Sequence, residues 1–194
     1  MKTFAVSVKI FLLFTLLTGI IYPLLITGIA QIAFPSKANG SLIYKDNRLI
    51  GSKLIAQQSD SNIYFSSRPS AVLYNPLPSG ASNLGMTNDK LKTMVNDRKK
   101  LFMMHNLIDS TKTIPSEILF ASASGLDPHI SPQAAYLQLD RIAKARHFNA
   151  VQKQKLYAII QQQIEKPWFF LLGELRVNVL LLNLKVDEMD LHKQ

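Results

Sequence analysis

The residues best suited to chemistry lie together in one stretch, residues 121–131. Asp127, His129 and Ser131 alternate along it, and an Asp, a His and a Ser could supply a general base or half of a metal site. No second ligand stands at a helical spacing from His129, so we predict no metal site. The simpler interpretation is that Asp127 and His129 hydrogen-bond to the loop backbone and fix the turn before Ser131. Contact with a partner protein is a third possibility.

A second polar segment, residues 64–71, contains Arg68 directly after two aromatic residues and two serines. The planar guanidinium of Arg68 could clamp a carboxylate or a phosphate through two hydrogen bonds. It could also brace loops by donating to backbone carbonyls, and we prefer this structural interpretation.

The third segment, residues 79–88, is rich in glycine, serine and asparagine. Backbone amides near Ser79 and Gly80, with Ser82 and Asn83 as donors, could form an anion-binding nest ahead of a helix. A structured turn that leads into the helix explains the same residues. The spacing alone leaves both interpretations open.

Familiar catalytic signatures do not occur in this sequence. The chain contains no GxxxxGK[ST], GxGxxG, HExxH, CxxC or GxSxG motif, so nothing indicates a self-contained nucleotide hydrolase of the phosphate-loop type. The absence of cysteine excludes a disulfide framework. The net charge of +9 is spread over scattered basic residues with no basic tract among aromatics. We therefore predict no nucleic-acid partner. Attraction to anionic lipid headgroups explains the positive charge better.

The polar segments follow a long apolar stretch that must set their location. Residues 10–36 contain no charged residue, whereas about 20 apolar residues suffice to cross a bilayer. A cleaved signal peptide would have a shorter apolar core, and a buried helix would show a polar face. We predict a transmembrane helix at residues 10–34 after a short segment, residues 1–9. The flanking charges leave the side of the membrane open.

The rest of the chain is predicted as a linker, residues 35–40, and one mixed domain, residues 41–194, so the fold class is α+β. Residues 70–85 form a long loop, which in a compact domain is typical of function. The predicted extended segments are residues 41–44 and 49–55, joined by a polar turn, then residues 64–68 and a buried strand at residues 177–186.

Three helices are predicted from capping residues. One begins near Asn88, the second at Ser131 with Pro132 in its first position, and the third at Asn149, ending before Pro167. The predicted apolar faces are Leu91, Met94, Val95, Leu101 and Phe102, then Ala135, Leu139, Ile142 and Ala143, then Val151, Ile159, Ile160 and Ile164.

In this order behind one N-terminal span, the polar segments resemble the KdpC family, the C subunit of the Kdp potassium-transporting ATPase. Departures from the family pattern are small: Ala81 replaces a usual glycine, Met86 a frequent proline and Ala123 a common glycine. The missing glycine at position 81 weakens the case for close approach to a phosphate. The matching residues are Tyr64, Phe65 and 68–71; then 79–80, 82–85 and 87–88; then 121–122 and 124–132; then 172–174 and 176–179.

The resemblance implies a non-enzymatic accessory subunit of an ATP-driven, high-affinity potassium uptake pump in the inner cell membrane. It implies two protein partners, a potassium-channel-like subunit and an ATP-hydrolysing subunit, besides the lipid bilayer. The family's subunit aids assembly and acts as a catalytic chaperone that raises the ATP affinity of the hydrolysing subunit, so ATP is the implied cofactor. The chain agrees in lacking the DKTGT motif that P-type pumps phosphorylate. The alternative function is a membrane-anchored hydrolase using Asp127 and His129.

The resemblance also implies a soluble domain on the extracytoplasmic side, whereas ATP is held in the cytoplasm. We therefore expect ATP affinity to follow from a bias on the pump's conformational equilibrium, because two linked equilibria need no direct contact.

Overall fold

The structure is a computed structural model that describes residues 2–59, 61–169 and 171–191, without the side chains of residues 190 and 191. It contains two compact units, Met1–Ser52 and Lys53–Gln194. The first holds an apolar helix and a hairpin, and the second mixes helices and short strands. The predicted α+β class with one N-terminal apolar helix is confirmed.

The apolar helix is longer than the predicted span. It runs through α1 (Lys2–Leu16), a π-helical turn (Leu17–Ile21) and α2 (Tyr22–Ala33). Its 32 residues are long and apolar enough to cross a membrane, since they extend about 48 Å at 1.5 Å each. The described residues of the predicted segment 1–9 are therefore helical and continue the span.

The π-helical turn lies directly before Pro23. A proline lacks the N–H that an α-helix would donate to the carbonyl four residues earlier, which is Gly19, and its ring clashes with that carbonyl. A single wider turn relieves the clash while the helix continues.

After the helix, the predicted linker contains one short helix, α3 (Pro35–Ala38). The predicted hairpin follows as β1 (Leu42–Lys45) and β2 (Arg48–Ser52), so its second strand ends three residues earlier than predicted. Asp46 and Asn47 form its turn with φ of 51° and 59°. Asn and Asp tolerate this left-handed conformation, which suits a two-residue hairpin.

The second unit contains a small antiparallel sheet with β5 (Arg176–Asn178) in the centre. His129 pairs with Asn178 on one side of β5, and Glu165 pairs with Arg176 on the other. This register brings chemistry-bearing residues from distant parts of the chain to one sheet. The elements are α4 (Asp89–Asn106), α5 (Ser116–Leu119), β3 (His129–Ile130), α6 (Pro132–Ala145), α7 (Ala150–Gln162), β4 (Ile164–Glu165), β5 (Arg176–Asn178) and α8 (Val179–Leu191).

The three predicted capping residues are confirmed. Asn88 accepts from the Lys90 amide, and Ser131 accepts from the Ala134 amide, at 2.9 and 3.1 Å. Asn149 forms a reciprocal capping box with its third following residue. Each side chain satisfies an amide that the helix itself leaves without a partner.

The buried strand predicted at residues 177–186 is wrong, because only its first two residues belong to β5. Helix α8 starts at Val179, and the side chain of Asn178 accepts from the Leu181 amide at 3.1 Å, as a cap does. The buried residues Val179, Leu182 and Val186 follow a helical spacing. A short apolar run cannot distinguish a buried strand from a buried helix, so Asn178 was the overlooked signal.

The predicted apolar faces are partly wrong at their ends. Leu101 and Val151 are 58% and 65% exposed, and Ile164 lies in β4 beyond the helix end. Leu156, which the prediction omitted, is fully buried in α7. The core comprises Phe65, Ile114, Ile118, Ile130, Ala134, Ala135, Leu139, Ile142, Ala143, Leu156, Ile160, Val177, Val179, Leu182 and Val186.

The segment predicted as extended, residues 64–68, is not part of a strand. Side-chain amides take the place of a neighbouring strand: Asn183 bonds both the N–H and the C=O of Phe65, at 2.8 and 2.9 Å. Gln138 does the same for Ser66, at 2.8 and 3.3 Å. The backbone N–H and C=O groups of Phe65 and Ser66 are thereby satisfied.

Two buried arginines, Arg141 within α6 and Arg146 directly after its end, complete this framework. Arg141 donates to the backbone carbonyls of Asn62 and Tyr64, the second at 2.9 Å. It also donates to the Asn106 side-chain oxygen at 2.8 Å. Arg146 donates to the Ile63 carbonyl at 2.8 Å. Burial lowers the pKa of Arg141 to about 10. The framework holds the backbone immediately before Arg68.

Candidate functional site

A cavity of about 520 Å³ opens in the second unit, where the loop before β3 meets β5 and the segment after β4. Its lining is rich in charged residues and contains one indole, that of Trp168. Its titratable lining residues are Arg68, Glu117, Asp127, His129, Lys166, Glu174 and Arg176.

Three predicted site residues come together at this cavity. Arg68 Nη1 donates to Asp127 Oδ2 at 2.9 Å. The other carboxylate oxygen, Asp127 Oδ1, accepts from the His129 backbone N–H at 3.0 Å and lies 3.3 Å from His129 Nδ1. Both Arg68 and Asp127 are partly exposed, at 24% and 30% of their side chains. Asp127 therefore joins two segments that are far apart in sequence.

The electrostatics keep the Asp127 carboxylate charged. Burial by itself raises its pKa, but the hydrogen bonds from His129 and Arg68 together with the Arg68 charge outweigh it and lower the pKa to about 2. A carboxylate stabilised in this way is a weak base at neutral pH. The arrangement suits a fixed anchor better than a proton acceptor.

The far side of the His129 ring faces a second ion pair. His129 Nε2 lies 3.9 Å from Glu165 Oε2, which accepts from Arg176 Nε at 2.9 Å. Two ion pairs, Arg68 with Asp127 and Glu165 with Arg176, thus flank the His129 ring. Opposite charges at these distances neutralise one another locally.

Ser131, the third residue of the predicted constellation, has a structural position. Its Oγ accepts from the Ala134 amide as the cap of α6, and its own N–H donates to Glu117 Oε1 at 3.2 Å. His129 Nε2 thus faces Glu165 and not a hydroxyl nucleophile. Among residues 2–59, 61–169 and 171–191, no three His, Cys, Asp or Glu side chains form a group suited to a metal ion.

The turn before Asp127 requires glycine at position 125. Gly125 has φ of +69°, and a Cβ there would lie 2.6 Å from Val72 Cγ2 and 3.0 Å from the Gly80 carbonyl oxygen. A left-handed φ together with such close neighbours excludes an ordinary side chain without local movement. This contact also places the loop at residues 79–83 beside the Asp127 turn.

The other predicted site, the loop at residues 79–83, does not line the charged cavity. The Gly80 amide donates to the Ser124 carbonyl at 3.1 Å, so one amide of the predicted nest already has a partner. Ser79, Ser82 and Asn83 are exposed. Nucleotide binding by this loop stays a prediction.

Charged residues that the sequence did not single out lie in the cavity or directly beside it. Glu165 and Arg176 meet because β4 and β5 pair, although β4 has only two residues. Glu117 is held at the cavity because its Oε1 accepts from the Ser131 N–H. A two-residue strand has too little alternation to be detected in a sequence, so no local signal indicated this pairing.

Comparisons with known proteins agree over most of the chain. Residues 4–188 match the family described as KdpC: K+-transporting ATPase, c chain. A relative from Leptospira interrogans, named Potassium-transporting ATPase KdpC subunit, is 44% identical over 94% of this chain and 92% of its own length. A protein of the same name from Pectobacterium atrosepticum is 46% identical over 94% of both chains. Another, from Acidobacterium capsulatum, is 49% identical over 88% of this chain and 90% of its own.

Proposed function

The chain belongs to the KdpC family, and we propose that it is the accessory subunit of an ATP-driven potassium pump. In this proposal it aids assembly of the complex and raises the ATP affinity of the ATP-hydrolysing subunit, without an active site of its own. Its protein partners are that subunit and the potassium-channel-like subunit. The observation that carries the proposal is the match over residues 4–188, which includes the apolar helix and the charged cavity together.

The geometry of the charged cavity supports a structural role for Arg68, Asp127 and His129. Asp127 is held by its two partners and has a pKa of about 2, which makes it a poor general base at neutral pH. The ion pair and the hydrogen bonds connect the loop before β3 to the segment at residue 68. A rigid surface at this place suits contact with a partner subunit. A hydrolase using His129 would have to activate water, and the group that the structure places in front of His129 Nε2 is the Glu165 carboxylate.

For ATP affinity we propose an indirect route. The soluble domain lies on the extracytoplasmic side of the inner membrane and favours the pump conformation that binds ATP on the opposite side. Linkage requires only that the accessory subunit bind that conformation more tightly than the others. A coupling of 1–3 kcal/mol is typical, which corresponds to roughly 5- to 150-fold in affinity.

The first experiment compares wild type with His129→Ala in cells that express the whole pump. We expect His129→Ala to reduce co-purification of the chain with the other two subunits. The KM of the remaining pump for ATP should rise. A hydrolase using His129 would instead keep its partners and lose turnover. Exposed His147 lies outside the cavity, so His147→Ala is the matched control and should behave as wild type.

The second experiment is protease protection on sealed inner-membrane vesicles of known orientation. The proposal expects the domain after Lys53 to be degraded only when the extracytoplasmic side is accessible. Degradation from the cytoplasmic side contradicts the indirect route, because direct contact with nucleotide would then be possible.

A further inference from the structure

The segment between β4 and β5 exposes apolar residues at its tip. Trp168, Phe169, Leu171 and Leu172 are 71%, 78%, 85% and 67% exposed, although each could gain by burial. Residue 170, also a phenylalanine, lies outside the described residues. We define the four described residues Trp168, Phe169, Leu171 and Leu172 as the apolar tip.

The apolar tip has a defined conformation. Trp168 and Leu172 pair through a backbone bridge, with the Trp168 N–H donating to the Leu172 carbonyl at 3.0 Å and the reverse bond at 2.9 Å. The amide of Leu171 also donates to the Trp168 carbonyl, at 3.1 Å. Gly173 follows with φ of +105°. The apolar side chains are therefore presented on a closed turn, whose ordering does not have to occur on binding.

We propose that the apolar tip inserts into the surface of the bilayer that holds the chain's own N-terminal helix. A tryptophan beside phenylalanine and leucine is the composition that membrane interfaces favour, because the indole is apolar with one polar N–H. The insertion would reach the boundary of headgroups and acyl chains, about 5–10 Å deep. This inference rests on membrane attachment and not on the pump assignment.

Two features favour lipid over a protein partner as the occupant. The apolar helix of 32 residues tethers the domain to a bilayer, so the local concentration of lipid is high and weak insertion suffices. The tip itself lacks charge: the charged residues closest to it in sequence are Lys166, Glu174 and the mutually paired Glu165 and Arg176. Because their charges sum to zero, the binding is apolar and independent of salt, unlike adsorption of a basic surface to anionic lipid.

The test uses the full chain with a nitroxide label at one cysteine, since the natural chain contains none. Leu171→Cys places the label at the tip, and Met86→Cys is the matched control, because Met86 is also exposed, at 78%, in another loop. The labelled chains are reconstituted in phosphatidylcholine vesicles. Collisions of the label with oxygen and with a water-soluble nickel complex are then measured.

The proposal expects the Leu171→Cys label to be accessible to oxygen and protected from nickel, with no change when salt is raised. The Met86→Cys label should be accessible to nickel. A nickel-accessible label at Leu171→Cys overturns the proposal. So does a label that is protected from both reagents, or protected only after the other pump subunits are added, because either result means burial against protein.

Trp168 provides a second measurement without a label, since it is the only tryptophan in the chain. Vesicles with brominated acyl chains should quench its emission at least about twofold if the indole reaches the acyl boundary. Leu171→Asp should remove most of this quenching, and Met86→Asp should preserve it. Equal quenching in both variants, or none in wild type, overturns the proposal.

Discussion

Two irregular segments of this chain differ in how their backbone is held. Residues 62–66 have no strand partner, yet Arg141, Gln138 and Asn183 bond their backbone groups, and Phe65 is fully buried. The loop at residues 79–83 is equally irregular and mostly exposed. The first segment is fixed to the core through Phe65, whereas the second is a surface loop whose exposed side chains a partner or a ligand could contact.

Irregular backbone therefore does not by itself indicate a functional loop. A buried segment needs a hydrogen-bond partner for each amide and carbonyl, and side chains can supply these partners as well as a strand can. Substitutions that remove such partners should therefore affect stability, and substitutions in the exposed loop should affect function alone.

The largest effect is expected for Arg141→Met. The change removes a buried guanidinium and leaves the carbonyls of residues 62 and 64 and the Asn106 side chain without their donor. Each unsatisfied buried group costs about 1–3 kcal/mol, so we expect a loss of roughly 3–5 kcal/mol in the free energy of unfolding. Thermal and urea unfolding of the purified chain measure it. Lys144→Met on the exposed face of α6 is the control and should stay within about 0.5 kcal/mol; equal losses in the two variants would contradict the framework.

Gly125→Ala should have the next largest effect. The new Cβ meets Val72 and the Gly80 carbonyl in a left-handed turn, so we expect a loss of about 1–3 kcal/mol. Gly85→Ala is the control, because a Cβ there meets nothing within 4 Å and no left-handed φ is required. Unfolding midpoints of the two variants distinguish them. A loss no larger than that of the control would mean that the two loops are not held together at Gly125.

Asp127→Asn should change stability in one pH window. The folded pKa of about 2 lies below the ordinary 3.8, so the charged carboxylate stabilises the fold above pH 3.8, and this contribution disappears as the pH falls to about 2. The shift corresponds to roughly 1–2 kcal/mol after allowance for solvent screening of a partly exposed group. The difference in unfolding free energy between wild type and Asp127→Asn, measured against pH, should fall within this window. A difference that is flat down to pH 2 would contradict the ion pair.

The smallest effect on stability is expected in the exposed loop. Ser82→Ala and Asn83→Gly should each change the unfolding free energy by less than about 0.5 kcal/mol, and glycine suits the positive φ of 53° at residue 83. Under the indirect route, the isolated full chain in detergent binds no ATP. Equilibrium binding of labelled ATP checks this. If the wild-type chain binds ATP and either variant abolishes it, the loop contacts nucleotide directly.

Local signals correctly predicted the starts of α4, α6 and α7, whereas other boundaries depended on tertiary contacts. The caps at Asn88, Ser131 and Asn149 act on neighbouring amides, so their effect is encoded within four residues. The start of α8 followed the same rule through Asn178, but the apolar run after it also suited a strand. Whether this apolar run formed a helix or a strand depended on its packing against the core.

The candidate site shows the same division. Asp127 and His129 are neighbours in sequence, so their hydrogen bond was predictable from a turn. Arg68 joins them across 59 residues, and Glu165 reaches His129 only because β4 pairs with β5. Contacts between residues so far apart in sequence cannot be predicted from the periodicity of a single segment.

Consecutive residues alone encode a long apolar helix, the capped helices that follow and the absence of phosphate-loop and phosphorylation motifs. Each of these is a property of consecutive residues, because hydrophobic length, capping and motif spacing act within one segment. Long-range packing was needed to bury Phe65 in the core, to place two ion pairs beside His129 and to leave Trp168, Phe169, Leu171 and Leu172 exposed. These features depend on which distant side chains come together and which remain exposed to solvent. That is determined only when the whole chain packs.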